Sequence, residues 1–286
     1  MSYNNIIIEE KIKEFLKEDC MYSDVSSHII PEKSSVSAKI IAKSGGFISG
    51  LEEIEILFNM LSVEINLRKK DGEEVNQGDI VLELEGPPRK ILLGERIGLN
   101  LLTHMSAITT TVKKYLKIVN NSGKNVKIAC TRKTLPGLRI FEKKAVYLAG
   151  IGADTHRFSL DDMVLLKDTH LRYYNGDVEK LLKDVKKRVS FTKKIEIEIE
   201  KTEDVLIAAR NGADILMLDN MKPEQVEKAL NLLIKNDLRG KVIVEISGGI
   251  SMENIMLYLK TEPDVISMGN LTLFPSEQVD LSLKFD

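Results

Sequence analysis

The chain has 286 residues, 43% of them hydrophobic and 29% charged, a composition that suits one large globular domain or two medium ones with a substantial core. A formal net charge of −2 gives no basic footprint for nucleic acid. No apolar run approaches membrane-spanning length and the first residues are acidic and basic by turns, so a membrane is not an expected partner and a cytoplasmic location is expected. Cys20 and Cys130 lie far apart and form no C-x-x-C pair or disulfide framework, which fits a reducing compartment.

In chain order, Ile8, Ile12, Phe15 and Leu16 fall on one face of an amphipathic helix. Strand-like runs follow at residues 37–42, 63–68 and 80–84. Asp71-Gly72 and Gly78-Asp79 mark tight turns, and Gly86-Pro87-Pro88 precedes a long helical stretch over 91–115. This first region reads as α+β. Residues 71–79 resemble the turns of lipoyl- and biotinyl-type carrier domains, but no Met-Lys-Met-like tip presents a lysine, so a carrier module is not expected.

Beyond residue 120, short β-rich runs at 126–130, 163–166, 195–199, 215–218, 242–246 and 265–268 alternate with helical stretches at 178–189, 203–211, 223–234 and 252–259. Such alternation predicts parallel pairing with right-handed crossovers, in an open sheet or a barrel. The run Ile195-Glu196-Ile197-Glu198-Ile199-Glu200 favours a barrel, because its Ile face packs on outer helices while its Glu face points inward. An inward row of carboxylates requires a positive neighbour. The plain alternative is an exposed edge strand with solvated glutamates.

The ends of these strands carry the chemistry. Between Cys130 and His170 the chain gathers Thr131-Arg132-Lys133-Thr134, Arg139, His156-Arg157 and Lys167-Asp168-x-His170. Any single cation here could be a solvated surface charge. Grouped at strand ends, they predict a pocket for a small, multiply anionic molecule, since converging cations are tolerated in a crevice when anions fill it. Asp219 ends its strand and, with a glutamate from the neighbouring strand, could share a hard divalent ion, Mg²⁺ being the natural choice. His156 and His170 lack the short spacing of a zinc site. Ser247-Gly248-Gly249 and Gly269-Asn270 follow the last two strands as phosphate-friendly turns, the first reinforced by a helix expected to begin near Met252.

Thr131-Arg132-Lys133-Thr134-Leu135-Pro136-Gly137-Leu138-Arg139, His156-Arg157, Lys167-Asp168-x-His170, Glu196-Ile197-Glu198, Leu218-Asp219-Asn220-Met221 and Ser247-Gly248-Gly249 together closely resemble the quinolinate phosphoribosyltransferase family (nicotinate-nucleotide pyrophosphorylase, carboxylating). The likeness extends from Glu18-Asp19, through Gly94-Glu95-Arg96-x-x-Leu99-Asn100, to Asp280-Leu281-Ser282-Leu283. It implies an N-terminal α/β sandwich over residues 1–110, with 273–286 returning to it, joined to an incomplete, about seven-stranded α/β barrel over 111–272. It also implies a homodimer with shared active sites, with further assembly open.

Carried over residue by residue, the resemblance implies that Arg132, Lys133, His156, Arg157 and Lys167 hold quinolinate beside Thr131, with Arg96 reaching in from the other subunit. Glu198 and Asp219 would hold Mg²⁺ on the pyrophosphate of phosphoribosyl pyrophosphate, while Ser247, Gly248, Gly249, Gly269 and Asn270 would line its 5-phosphate side. Lys133, Lys167, Glu198 and Asp219 would be the groups nearest the chemistry.

This chain departs from the family pattern at Thr155 before His-Arg, at Thr169 between Asp168 and His170, in Ala149-Gly150-Ile151-Gly152, and where Leu273-Phe274 replaces a usual His-Ser pair. A related subfamily loses the lysine that stands here as Lys167, and this chain keeps it. The alternatives are a paralogue acting on another anionic acceptor and a non-catalytic phosphate or nucleotide sensor. The intact pair Glu198 and Asp219 speaks against a sensor.

Overall fold

A computed structural model describes residues 5–31 and 33–286. The described residues divide into two compact units, one made of those up to 113 with 135–150 and 274–286, the other of 114–134 and 151–273.

The first unit is built on a four-stranded antiparallel sheet in the order Leu281–Phe285, Val36–Ala42, Ile80–Gly86, Glu64–Leu67. Along Val36–Ala42 the alternation buries Ala38, Ile40 and Ala42. The helix Leu51–Met60 buries Leu51, Ile54, Leu57 and Phe58 on one face. Its first turn is capped from outside the helix: Asp71 Oδ1 accepts the Gly50 N–H at 2.8 Å and the Leu51 N–H at 2.9 Å, a second task for the expected Asp71-Gly72 turn. The helical stretch expected over 91–115 extends over Pro88–Ser122.

Residues 135–150, read from sequence within the barrel domain, cluster with this first unit. The helix Arg139–Leu148 explains why. Phe141 packs on Phe15 with ring centroids 5.8 Å apart, and Lys144 pairs with Glu52 and, at 2.7 Å, with the fully buried Glu53. The Ala145 carbonyl accepts from Thr109 Oγ1 at 2.8 Å. The strand Leu281–Phe285 pairs antiparallel with Val36–Ala42, from Ala38 opposite Phe285 to Ala42 opposite Leu281.

The second unit is a seven-stranded parallel sheet in the order Ala153–Asp154, Lys127–Cys130, Val265–Met268, Ile243–Ser247, Ile215–Asp219, Ile195–Ile199, Val164–Leu166. The order is that of a sequential barrel opened between its second and third strands, Ala153–Asp154 and Val164–Leu166. Ile195, Ile197 and Ile199 are buried, and Glu196, on the other face, has no exposed surface at all. The inward Glu face expected of this strand is therefore real. Register sets Met217 beside both Glu198 and Glu245, and Asp219 beside Ser247.

Candidate active site

Parallel strands deliver their last residues to one rim, so side chains there can converge without distorting the sheet. Thr131–Lys133 follow the strand Lys127–Cys130, Lys167 follows Val164–Leu166, and Gly269 follows Val265–Met268. Glu198, Asp219 and Ser247 lie at the ends of their own strands.

The cations and carboxylates of this rim answer one another. Lys167 Nζ reaches Glu198 Oε1 at 3.0 Å, and the Asp168 backbone N–H donates to Glu198 Oε2 at 3.2 Å. The Asp219 carboxyl is held above the usual range, first by burial and then by the charge of Glu198, with Lys133 pulling it back. A divalent cation between Glu198 and Asp219 would relieve that repulsion, so the donor pair fits Mg²⁺ in chemistry.

Arg132 and Arg157 are near enough for their like charges to interact. Arg157 is 7% exposed, and burial and then Arg132 lower its pKa. Arg132 Nε is buried with no hydrogen-bond partner among the described residues. Cations so placed, one of them with an unused buried donor, are chemically suited to an anion with more than one carboxylate.

His156 stands apart from this group. Its backbone has φ +52° and its Nε2 lies 3.2 Å from Glu245 Oε2 and 3.5 Å from Glu196 Oε2. Burial opposes its protonation, but hydrogen bonding to, and the charge of, Glu196 and Glu245 outweigh that and hold its pKa up at about 10. The neutral ring can accept the Arg157 N–H at its Nδ1, 2.7 Å away, so protonation gives up that bond in exchange for the two carboxylates. These atoms are close enough to hold a metal ion. The His156 ring, cationic below about pH 10, is the positive neighbour the inward glutamates required.

On the phosphate side, Gly248 has φ +94° and Gly249 φ +63°, conformations that favour glycine. Asn220, which sequence reasoning left without a role, ties this turn to the carboxylates. Its N–H donates to the Ser247 carbonyl at 2.9 Å and its Nδ2 to Asp219 Oδ2 at 2.8 Å. The Asp-Asn pair at a strand end was its only signal. The helix expected near Met252 begins at Ile255 and runs only to Leu259, because Asn254 braces the preceding turn by accepting from Ser251 N and donating to the Gly249 carbonyl, each at 2.8 Å. The expected helix-dipole contribution is therefore replaced by a fixed loop. Gly269 lies against the Lys133 side chain, and Asn270 lies near enough to the Tyr115 hydroxyl to pull its pKa down against the larger upward effect of burial, a buried neighbour the sequence did not point to.

Arg96 is exposed on the helix Pro88–Ser122, in the first unit. There it lines a cavity of about 360 Å³ with Glu18, Asp19, Asn100 and His104. His104 Nε2 meets the buried Glu142 at 2.9 Å, and Glu142 also accepts the Leu135 N–H.

An opened parallel barrel whose rim gathers guanidiniums, a carboxylate pair and glycine turns is the frame of an enzyme for anionic, phosphorylated substrates. The N-terminal domain of quinolinate phosphoribosyl transferase matches residues 22–106 and its C-terminal domain matches residues 108–284. The chain belongs to the quinolinate phosphoribosyltransferase family.

A relative from Methanothermobacter thermautotrophicus, described as "Probable nicotinate-nucleotide pyrophosphorylase [carboxylating]", is 41% identical over 274 residues, covering 96% of this chain and 97% of its own. The human nicotinate-nucleotide pyrophosphorylase [carboxylating] is 32% identical over 273 residues, with 96% and 90% covered. The solved nicotinate-nucleotide pyrophosphorylase from Francisella tularensis superposes with a TM-score of 0.90 at 31% identity, covering 100% of this chain and 98% of that one.

Proposed function

We propose that this protein transfers the phosphoribosyl group of phosphoribosyl pyrophosphate to quinolinate with loss of CO₂, giving nicotinate mononucleotide and pyrophosphate in NAD biosynthesis. The observation that carries this reading is a buried Arg157 near enough to feel the charge of Arg132, whose own buried Nε has no hydrogen-bond partner among the described residues, a set of donors suited to a planar dianion. Family membership over nearly the whole chain supports the same reaction.

In this reading Arg132, Arg157, Lys133 and Lys167 neutralise the two adjacent carboxylates and fix the ring plane, so that the ring nitrogen faces the ribose carbon. The turns at Ser247–Gly249 and Gly269–Asn270 fix the 5-phosphate. Glu198 and Asp219 would hold Mg²⁺, which when bound supplies positive charge to the pyrophosphate. The carbon–oxygen bond to pyrophosphate breaks as the nitrogen–carbon bond forms, with rate gained from positioning and charge and without a protein nucleophile. The nitrogen, now quaternary, accepts the electron pair left when the 2-carboxylate departs as CO₂, and a proton then fills that carbon. Arg96 would serve the site of a partner subunit in a cytoplasmic homodimer.

The deciding experiment incubates the purified protein with phosphoribosyl pyrophosphate, Mg²⁺ and either quinolinate or nicotinate. CO₂ release in step with quinolinate consumption supports the reading. Consumption of nicotinate in preference would overturn it.

A further inference from the structure

Thr272 directly precedes Leu273-Phe274, where this chain departs from the family pattern, and it is completely buried. Its Oγ1 donates to the Lys133 carbonyl at 2.6 Å, with the Gly269 carbonyl further off at 3.4 Å. The other face of Lys133 is held as well, since its N–H donates to Thr131 Oγ1 at 3.0 Å. Its aliphatic stem lies on Gly269, where an added Cβ would come within 2.6 Å of Lys133 Cδ. Lys133 is thus clamped at its N–H, its carbonyl and its stem, while its ammonium remains solvent-exposed and close enough to Asp219 to bias that carboxyl.

We propose that Thr272 is a positioning residue for Lys133. Its hydroxyl fixes the Lys133 backbone so that the ammonium is presented between the acceptor and the Asp219 carboxylate. Lys133 has four rotatable side-chain bonds, and fixing their origin reduces the conformations sampled before the ammonium meets an anion. In this chain the 270–273 turn is therefore tied to the acceptor side of the site as well as to the phosphate side. The inference rests on the acceptor role proposed above for Lys133, but the clamp itself does not.

Four proteins test it: Thr272→Val, which keeps shape and removes the hydroxyl, Thr272→Ser, which keeps the hydroxyl, Lys133→Ala, and Lys133→Ala with Thr272→Val. Expected is a loss of about tenfold in kcat/KM for quinolinate in Thr272→Val, with the KM for phosphoribosyl pyrophosphate within about twofold, recovery in Thr272→Ser, and no added loss in the double variant. The same tenfold loss from Thr272→Val in the Lys133→Ala background would overturn the proposal, as would equal effects on both substrates.

A second readout is independent of the acceptor: the rate at which an acylating reagent modifies Lys133, followed by peptide mass spectrometry. It should change at least threefold in Thr272→Val and not in Thr272→Ser. An unchanged rate, with only a lower melting temperature, means a purely structural threonine and sinks the inference. If wild type fails to bind or consume quinolinate, the proposed function fails while this labelling comparison still decides the clamp. Should Thr272→Val not fold, Thr272→Cys carries the same comparison.

Discussion

Gly248 and Asn220 are fitted backbone to side chain: a Cβ on Gly248 would stand 2.2 Å from Asn220 Oδ1. The same Asn220 binds Asp219 through its Nδ2, so the glycine turn and the carboxylate pair share one carboxamide. Gly248→Ala should therefore displace Asn220 and raise the KM for phosphoribosyl pyrophosphate at least tenfold, with a smaller effect on quinolinate. The φ of +94° at this glycine adds a backbone cost of about 1 kcal/mol or more. Steady-state kinetics with each substrate varied in turn checks the split, and an unaffected KM for phosphoribosyl pyrophosphate contradicts it.

Arg157→Ala and Lys167→Ala should each weaken quinolinate far more than phosphoribosyl pyrophosphate. Each removes a charge-assisted contact of roughly 1.5–3 kcal/mol from the acceptor side alone. Calorimetric binding of the two ligands separately measures this, and equal losses for both would contradict the assignment of these cations.

Activity should require a divalent cation, and Glu198→Gln with Asp219→Asn should remove that dependence together with most of the rate. Because burial and then Glu198 hold the Asp219 carboxyl above its ordinary value, its ionised form is lost at a higher pH than for a free aspartate as the solution is acidified. Apparent Mg²⁺ affinity should therefore weaken on the acid side earlier than an exposed carboxylate would predict. Full activity in excess chelator removes the metal from the mechanism.

Stability should fall toward alkaline pH. His156, ordinarily near 6.5, is held at about 10, so its contribution is fully present below about pH 6.5 and is lost as pH rises through about 10. Glu196, raised by burial and then by Glu245, acts in the same direction, since its neutral form is the one the fold accommodates. Between pH 7 and 10 the melting temperature should drop by several degrees, an order of magnitude set by the entropy of unfolding a chain of this size, and His156→Gln should flatten the profile. Parallel profiles for the two proteins would contradict a shared titration.

If Arg96 serves a partner subunit, Arg96→Ala and Lys133→Ala proteins should each keep only a small, measurable residual activity alone and regain activity when mixed under exchange conditions. Each heterodimer would then carry one site with both residues intact, approaching half of wild-type activity. Native mass spectrometry reports the exchange, and exchange without recovery would sink the shared site.

Much of the second unit is legible in the sequence because period-two alternation and strand-end chemistry are local signals. Ile195–Ile199 declares both its buried face and its acidic one. Ala153–Asp154 could not be seen, since two residues have no period. Nor could the inward turn of His156, which depends on a left-handed backbone and on two glutamates from distant strands. Glu245 hid inside a run that reads simply as apolar. The grouping of Arg139–Leu148 with the first unit rests on long-range partners, Phe15, Glu52 and Glu53, that no local pattern announces.

The pairing of Leu281–Phe285 with Val36–Ala42 also bears on how the chain is made. While the ribosome has released only the first half of the chain, the strand Val36–Ala42 has its Ile80–Gly86 neighbour and a bare second edge. That edge is filled only when residues 281–285 emerge, after every barrel strand has been synthesised. The unit that starts first is therefore finished last. Its open edge during translation is where a nascent chain of this design is most exposed to wrong partners and most in need of a chaperone.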